Sequence, residues 1–185
     1  MSADKEYLLK LAQNGSSELA PAELRQAELL RRVVVTRPLV MVNTSTSGMV
    51  AGASRTMEAI EQYAADRSID IELAETGSIG LSSEDPVVSV QLPGRTRIFF
   101  SRMTPDKVNP ILDDLFHQMV PDQHVIGQLR HQGQEAWKDV PYLDDIPYFA
   151  LQDRRVMESC GIIDPFSLEE YMAGGGYAAF LKTIR

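Results

Sequence analysis

The sequence predicts an α/β protein: a mixed sheet with helices on both faces, N-terminal helices before it and a C-terminal helical extension after it. Three observations predict this. The apolar run Leu39–Val42 is followed by an amphipathic helical stretch and then an alternating segment, the pattern of a strand–helix–strand unit. Two further strand-like runs flank Pro93-Gly94, a hairpin signal. A stripe of Val108, Ile111, Leu112, Leu115 and Phe116 closes the unit as a helix.

In order, residues 3–13 and 21–32 read as helices, the second with Pro21 at its first position and Leu24, Ala27 and Leu30 at helical spacing. Asn14-Gly-Ser-Ser17 reads as the turn between them. The pair is a docking arm or packs on the neighbouring domain, and packing is the expectation. Leu39–Val42 is a buried strand, and 49–66 a helix whose apolar face is Val50, Ala53, Met57, Ile60 and Ala64. Ile69–Leu73 alternates as a half-buried strand, and Pro86–Val90 and Thr96–Phe100 form the hairpin. Thr104 reads as the cap of the closing helix, with Pro105 at its first position. This order matches a thioredoxin-like domain over 37–117, its strand–helix–strand part parallel and right-handed.

Residues 118–147 carry Pro121, Gly127, Gly133, Pro141 and Pro147 and read as an extended linker that wraps a surface. In it Trp137 and Tyr142 are anchors, onto a partner or onto their own domain. Short helices are expected at 149–159, 167–173 and 175–184, the second with Ser167 and Glu170 as a capping box. The divisions are thus 1–32, 37–117, 118–147 and 148–185.

Composition narrows the function. Of 185 residues, 44% are hydrophobic and 24% charged, ordinary for a globular protein. No stretch approaches the roughly 20 apolar residues that span a bilayer, and the start is polar, so the expectation is cytoplasmic and not membrane-embedded. A net charge of −8 argues against nucleic acid, and the short basic group Arg25, Arg31 and Arg32 sits among glutamates as a solvated helix face. The single cysteine, Cys160, fits a reducing compartment and excludes dithiol exchange, which needs Cys-x-x-Cys. It lies at an expected helix C-terminus and reads as structural.

Other chemistry-bearing groups have a plain reading beside the sharp one. His117, His124 and His131 are seven apart, but Pro121 and Gly127 interrupt any continuous helix, so a metal site is not expected. Asp144 and Asp145 read as a turn rather than an acid–base pair. The hydroxyls of Thr44, Ser45, Thr46 and Ser47 precede a helix and could complete an anion site; a capped, solvated helix start is the plainer reading. No glycine-rich nucleotide loop or phosphate-binding lysine motif is present.

The C-terminal run carries a resemblance. Pro147-Tyr-Phe149, Arg154-Arg-Val156, Cys160-Gly-x-Ile-Asp-Pro165 (Ser159 standing where asparagine is usual) and Glu169-Glu-Tyr-x-Ala-x-Gly-Gly-Tyr177 resemble the NADH-binding flavoprotein subunit of respiratory complex I and of NAD(P)-linked hydrogenases. The likeness is looser from Leu39 onward. In that family the thioredoxin-like domain often carries a 2Fe–2S cluster on four cysteines, spaced Cys-x4-Cys and Cys-x3-Cys. Aligned on it, the four positions here are Asn43, Gly48, Ser78 and Ser82, in the loops 43–48 and 76–82. None is cysteine, so the resemblance implies a domain that keeps the fold without the cluster. The family's FMN and NADH loops and its later 4Fe–4S motif have no counterpart in 1–185, so those cofactors are expected only in a partner or a further C-terminal region.

Three functional readings result. The chain is the front portion of a longer NADH dehydrogenase subunit, or an accessory protein that docks to other subunits of such a complex. A stand-alone interaction or anion-binding module without redox activity is the alternative. An enzyme in its own right is the weakest reading, because no nucleophile–base pair or cofactor cradle assembles, and no catalytic residue is named.

Overall fold

The computed structural model describes residues 5–14 and 20–184, which fall into two compact units. The expected turn at 14–17 lies largely outside the described residues.

The larger unit spans Val35–Ile162. β1 (Leu39–Asn43) is followed by α3 (Thr46–Val50), α4 (Ala53–Arg67) and β2 (Glu72–Thr76), which runs parallel to β1 with Leu39 opposite Glu72. β3 (Val88–Gln91) lies antiparallel on the other side of β1, and β4 (Ile98–Phe100) pairs with β3. After α5 (Pro105–Phe116), β5 (Val125–Gln128) pairs antiparallel with β4. The strand order is β2-β1-β3-β4-β5, a five-stranded mixed sheet flanked by helices. A parallel strand–helix–strand, then a hairpin and a closing helix, is the thioredoxin-like arrangement. The Asp85-Pro86 peptide at the entry to β3 is cis.

Alternation along the strands divides the core between the faces. Val40, Val42, Val88, Val90, Ile98 and Phe100 face α4 and α5. Those helices contribute Ile60, Tyr63, Val108, Leu112 and Leu115 to the same cluster. Thr56 Oγ1, buried in α4, donates to Met103 O at 2.5 Å and ties α4 to the turn before α5. On the opposite face Phe99 and Val87 meet Ile79, Leu143 and Phe149, the last from α6 (Pro147–Ala150).

Four details differ from the sequence reading. The helix expected over 49–66 is two, because Gly52 adopts φ 106 and turns the chain between α3 and α4. Val50 is therefore 86% exposed, and the buried stripe is Ala53, Thr56, Ile60 and Tyr63. The second strand lies three residues later than the alternating run. Ser68 ends α4 in a left-handed conformation, and pairing begins only where Glu72 N donates to Pro38 O at 2.8 Å. Thr104 precedes α5 in an extended conformation but makes no cap bond with its side chain; its hydroxyl instead meets Asp106, and that hydrogen bond is the main cause holding this carboxyl below the usual range. The helix expected over 149–159 ends at Ala150 and continues as turns.

The segment 118–147 is not a detached linker. It supplies β5, and Trp137 and Val140 are buried in the main core. Gln128 anchors it: Nε2 donates to Trp137 O (2.9 Å) and Val140 O (2.7 Å). Its Oε1 accepts from Thr96 Oγ1 (2.6 Å) and Trp137 N (2.8 Å). One buried amide thus uses all four of its bonding positions, which fixes a stretch that has little regular structure of its own.

The smaller unit joins the two ends of the chain, Met1–Val34 and Ile163–Arg185. α1 (Lys5–Asn14) and α2 (Pro21–Leu30) pack against α7 (Leu168–Ala173), and α1 also against α8 (Ala178–Thr183). Ser167 caps α7 by accepting from Glu170 N at 3.1 Å. The reciprocal half of the expected capping box is replaced: the Glu170 carboxylate turns to Arg32 and Asp164 N.

Candidate functional site

The loops that follow β1 and β2 lie side by side because their strands are parallel and in register, Asn43 opposite Thr76. Thr44 N donates to Thr76 O at 3.0 Å and closes the pair beyond the last strand residues. In an open α/β sheet the carboxyl ends of parallel strands are the usual place for a ligand, so the aligned positions stand where chemistry is expected.

The side chains there have other work. Asn43 is 1% exposed, and its Nδ2 donates to Asp85 Oδ1 at 2.5 Å. Its Oδ1 accepts from Ser45 N at 2.9 Å. Gly48 is buried in α3, and a Cβ there would lie 2.0 Å from the carbonyl oxygen of Asn43. No larger residue fits that backbone. Ser78 Oγ accepts from Gly80 N at 3.0 Å, closing a local turn. Ser82 is exposed at the start of a single 3-10 turn, Ser82–Glu84. Asn43 and Gly48 touch; Ser78 and Ser82 are held by their own loop.

This donor set does not fit a 2Fe–2S cluster. Iron in such clusters takes thiolate ligands; an inward-turned amide, a glycine without room for a side chain and two serine hydroxyls offer none. Among the described residues no three His, Cys, Asp or Glu side chains are grouped to hold a metal ion. Of the histidines, His117 turns its ring to its own helix, Nδ1 lying 2.7 Å from Asp113 O.

The hydroxyl-rich loop also fails as an anion cradle. α3 has five residues, too short for an appreciable dipole. Thr44 Oγ1 donates to Glu75 Oε2 at 2.6 Å, and Ser45 and Ser47 hydroxyls face each other at 3.2 Å. The Glu75 carboxylate, reaching the loop from β2, repels what the hydroxyls would attract.

The sequence reading missed Asp85. It is 9% exposed, and while Oδ1 takes the Asn43 amide, Oδ2 has no hydrogen-bond partner among the described residues. A polar residue before Pro86 in a Gly/Ser/Asp-rich loop gives no sequence signal for burial. It also missed the cover over the second loop. Gly161 stands at φ 76 with its Cα face on Ile79, where a Cβ would lie 2.2 Å from Ile79 Cγ2. Tyr148 OH donates to Gly80 O at 2.9 Å, and Arg97 Nη1 to Ile162 O at 2.6 Å. Cys160 is half-buried beside this turn, its thiol 3.7 Å from Met157 Sδ. Asp144 and Asp145 both hold Arg130, at 2.9 and 2.8 Å; the hydrogen bond from Arg130 keeps the Asp144 carboxyl below the usual range. They form a surface ion pair, with Arg130 also stacked over Tyr142 at 3.9 Å.

What remains chemically notable is apolar exposure. In the larger unit Leu151 and Val156 are 90% and 95% exposed; in the smaller, Phe166 and Phe180 are 79% and 60% exposed. No helix of the described residues is long and apolar enough to cross a membrane.

No protein-family model matches the chain. Among solved structures, a thioredoxin-like 2Fe–2S ferredoxin from Aquifex aeolicus is similar at 16% identity and a TM-score of 0.43, over 55% of this chain and 100% of that one. A second structure, of the wild-type ferredoxin from the same organism, gives 16% identity and a TM-score of 0.42 over 50% and 99%. Likenesses this distant say nothing of cofactor or activity. The fold stands on the strand order and connections described above.

Proposed function

We propose that this chain is a non-catalytic module of an electron-transfer complex of the NADH dehydrogenase or hydrogenase kind, docking to its flavin- and NADH-binding part. On this reading the thioredoxin-like domain carries no cluster, and FMN, NADH and iron–sulfur centres belong to a partner or a further C-terminal region. The setting is cytoplasmic. The observation that carries the proposal is the concentration of exposed large apolar side chains after Pro147. Isolated exposed apolar residues are ordinary, but in the smaller unit Phe166, Tyr171, Tyr177 and Phe180 are exposed in one short stretch, which is what a docking surface needs. The resemblance of this same stretch to the flavoprotein subunits supplies the kind of partner.

The test is affinity purification of the tagged chain from its native cell, with an assay for NADH-dependent dye reduction in the eluate. Deletion of 148–185 is a poor control, since it removes Phe149 from one core and Met172 from another. Point changes serve better. Val156→Asp and Phe180→Asp, both on exposed side chains, are expected to lower recovered NADH-oxidising activity at least about tenfold with an unchanged unfolding transition. Equal recovery by both variants would sink the docking reading. A brown preparation with stoichiometric iron would sink the cluster-less one.

A further inference from the structure

The smaller unit is built from segments far apart in sequence, and its seam is thin. Tyr7, Leu8, Leu11 and Ala12 of α1 and Ala27 of α2 meet Met172 of α7, with Leu181 of α8 at the margin. Ten-residue helices are marginal alone in water, so α1 and α2 keep their shape through this contact.

A polar lock sits in the seam. Glu170 is 1% exposed. Arg32 Nη1 donates to its Oε2, and Asp164 N donates to the same oxygen at 3.1 Å. Arg32 Nη2 lies 3.6 Å from the Asp164 carboxylate. Losing one side of such a pair leaves a charge buried without its partner. The backbone adds an independent sign. Arg32 follows the C-cap of α2 at φ 50, a left-handed conformation in which glycine is the ordinary occupant. Arginine stands there against its backbone preference, and the guanidinium's reach to Glu170 is the compensation.

We propose that α1 and α2 form a releasable cover over the inner apolar face of α7 and α8, locked by Arg32 on Glu170. Seated, the cover hides Met172. Released, it bares Met172 and Leu181 on the same two helices that already expose Tyr171 and Phe180. A small seam with its charged contact at Arg32 and Glu170 opens locally at lower cost than the sheet core. The inference stands on the lock and the seam and does not rest on the identity of the partner.

Hydrogen exchange on the full chain tests it, with Arg32→Gly and Glu170→Gln beside the unaltered protein. Arg32→Gly relieves the backbone and removes the lock; Glu170→Gln removes the charge and leaves the backbone alone. Both are expected to speed exchange about tenfold in α1, α2 and α7 together, with β1, β3 and β4 unchanged. A rise in α2 alone overturns the proposal, because Arg32 then steadies only its own helix end. No change in Arg32→Gly overturns it as well. Unfolding of the whole chain by both variants overturns it too, since the seam is then part of one cooperative core and not a cover.

Discussion

Two buried polar hubs in the sheet unit make an instructive contrast. Gln128 spends every bonding position of its amide on Thr96, just before β4, and on Trp137 and Val140 in the following segment. Asp85, at the loop end of the sheet, spends one oxygen on Asn43 and leaves the other bare. A satisfied buried amide pins irregular chain to a core. A half-satisfied carboxyl is a cost that the surrounding fold must carry. The difference separates two ends of the sheet: the hub under the segment 129–140 is complete, and the one under the loops after β1 and β2 is not.

The contrast breaks most readily at Gln128. Gln128→Leu leaves Trp137 N, Thr96 Oγ1 and two carbonyls without partners in the core, and is expected to cost about 3–5 kcal/mol in a urea unfolding experiment. A cost below about 1 kcal/mol would mean the segment 118–147 is held by its apolar contacts alone. At the other hub, Asn43→Ala strips the one bond from Asp85 and another from Ser45 N, with an expected cost of about 2 kcal/mol. Asp85→Asn keeps a similar shape and a carbonyl for the Asn43 amide, and should change stability by less than about 1 kcal/mol. If it costs as much as Asn43→Ala, Asp85 is as fully used as Gln128 and the contrast fails.

A sharper version introduces the thiolates that the resemblance would call for. Asn43→Cys, Gly48→Cys, Ser78→Cys and Ser82→Cys together recreate the spacing, yet Gly48 cannot take a Cβ while the Asn43 carbonyl sits 2.0 Å from it. The expectation is no iron–sulfur absorbance after reconstitution, and a cost of at least about 2 kcal/mol from Gly48→Ala alone. A coloured, iron-loaded quadruple variant would show that the α3 backbone yields and that these loops can hold a cluster once they carry sulfur.

How much of this was legible depends on what each signal encodes. The parallel unit, the hairpin and α5 were readable because apolar periodicity reports burial directly, as Val108, Ile111, Leu112 and Leu115 do. That β2 runs Glu72–Thr76 rather than over 69–73 was not, because its start depends on where Ser68 turns the chain. Residues 118–147 misled for a related reason. Their prolines and glycines report the lack of regular structure, while the burial of Trp137 depends on a glutamine whose four hydrogen bonds reach residues nine to thirty-two positions away. Of the loop positions, the absence of cysteine at Asn43, Gly48, Ser78 and Ser82 was plain in the sequence; the steric closure of Gly48 and the Asn43–Asp85 bond needed coordinates.

The smallest expected effect tests the satisfied side of the molecule by pH. Tyr63, buried in α4, donates to Asp113 Oδ1 at 2.8 Å. Burial first, and the Asp113 hydrogen bond second, push its phenol up to about 12 from 10.0. The folded protein therefore holds this proton more tightly than the unfolded chain. Stability from it is complete below pH 10 and declines as pH rises from 10 through about 12. Asp113 is partly exposed and also meets Arg67 at 3.1 Å, so solvent screening trims the effect to at most about 1 kcal/mol. Tyr63→Phe should lower stability at neutral pH by a similar amount and flatten the alkaline slope of the urea midpoint. A slope that survives the substitution would assign it to another group, and the α4–α5 contact would then owe nothing to this phenol's charge state.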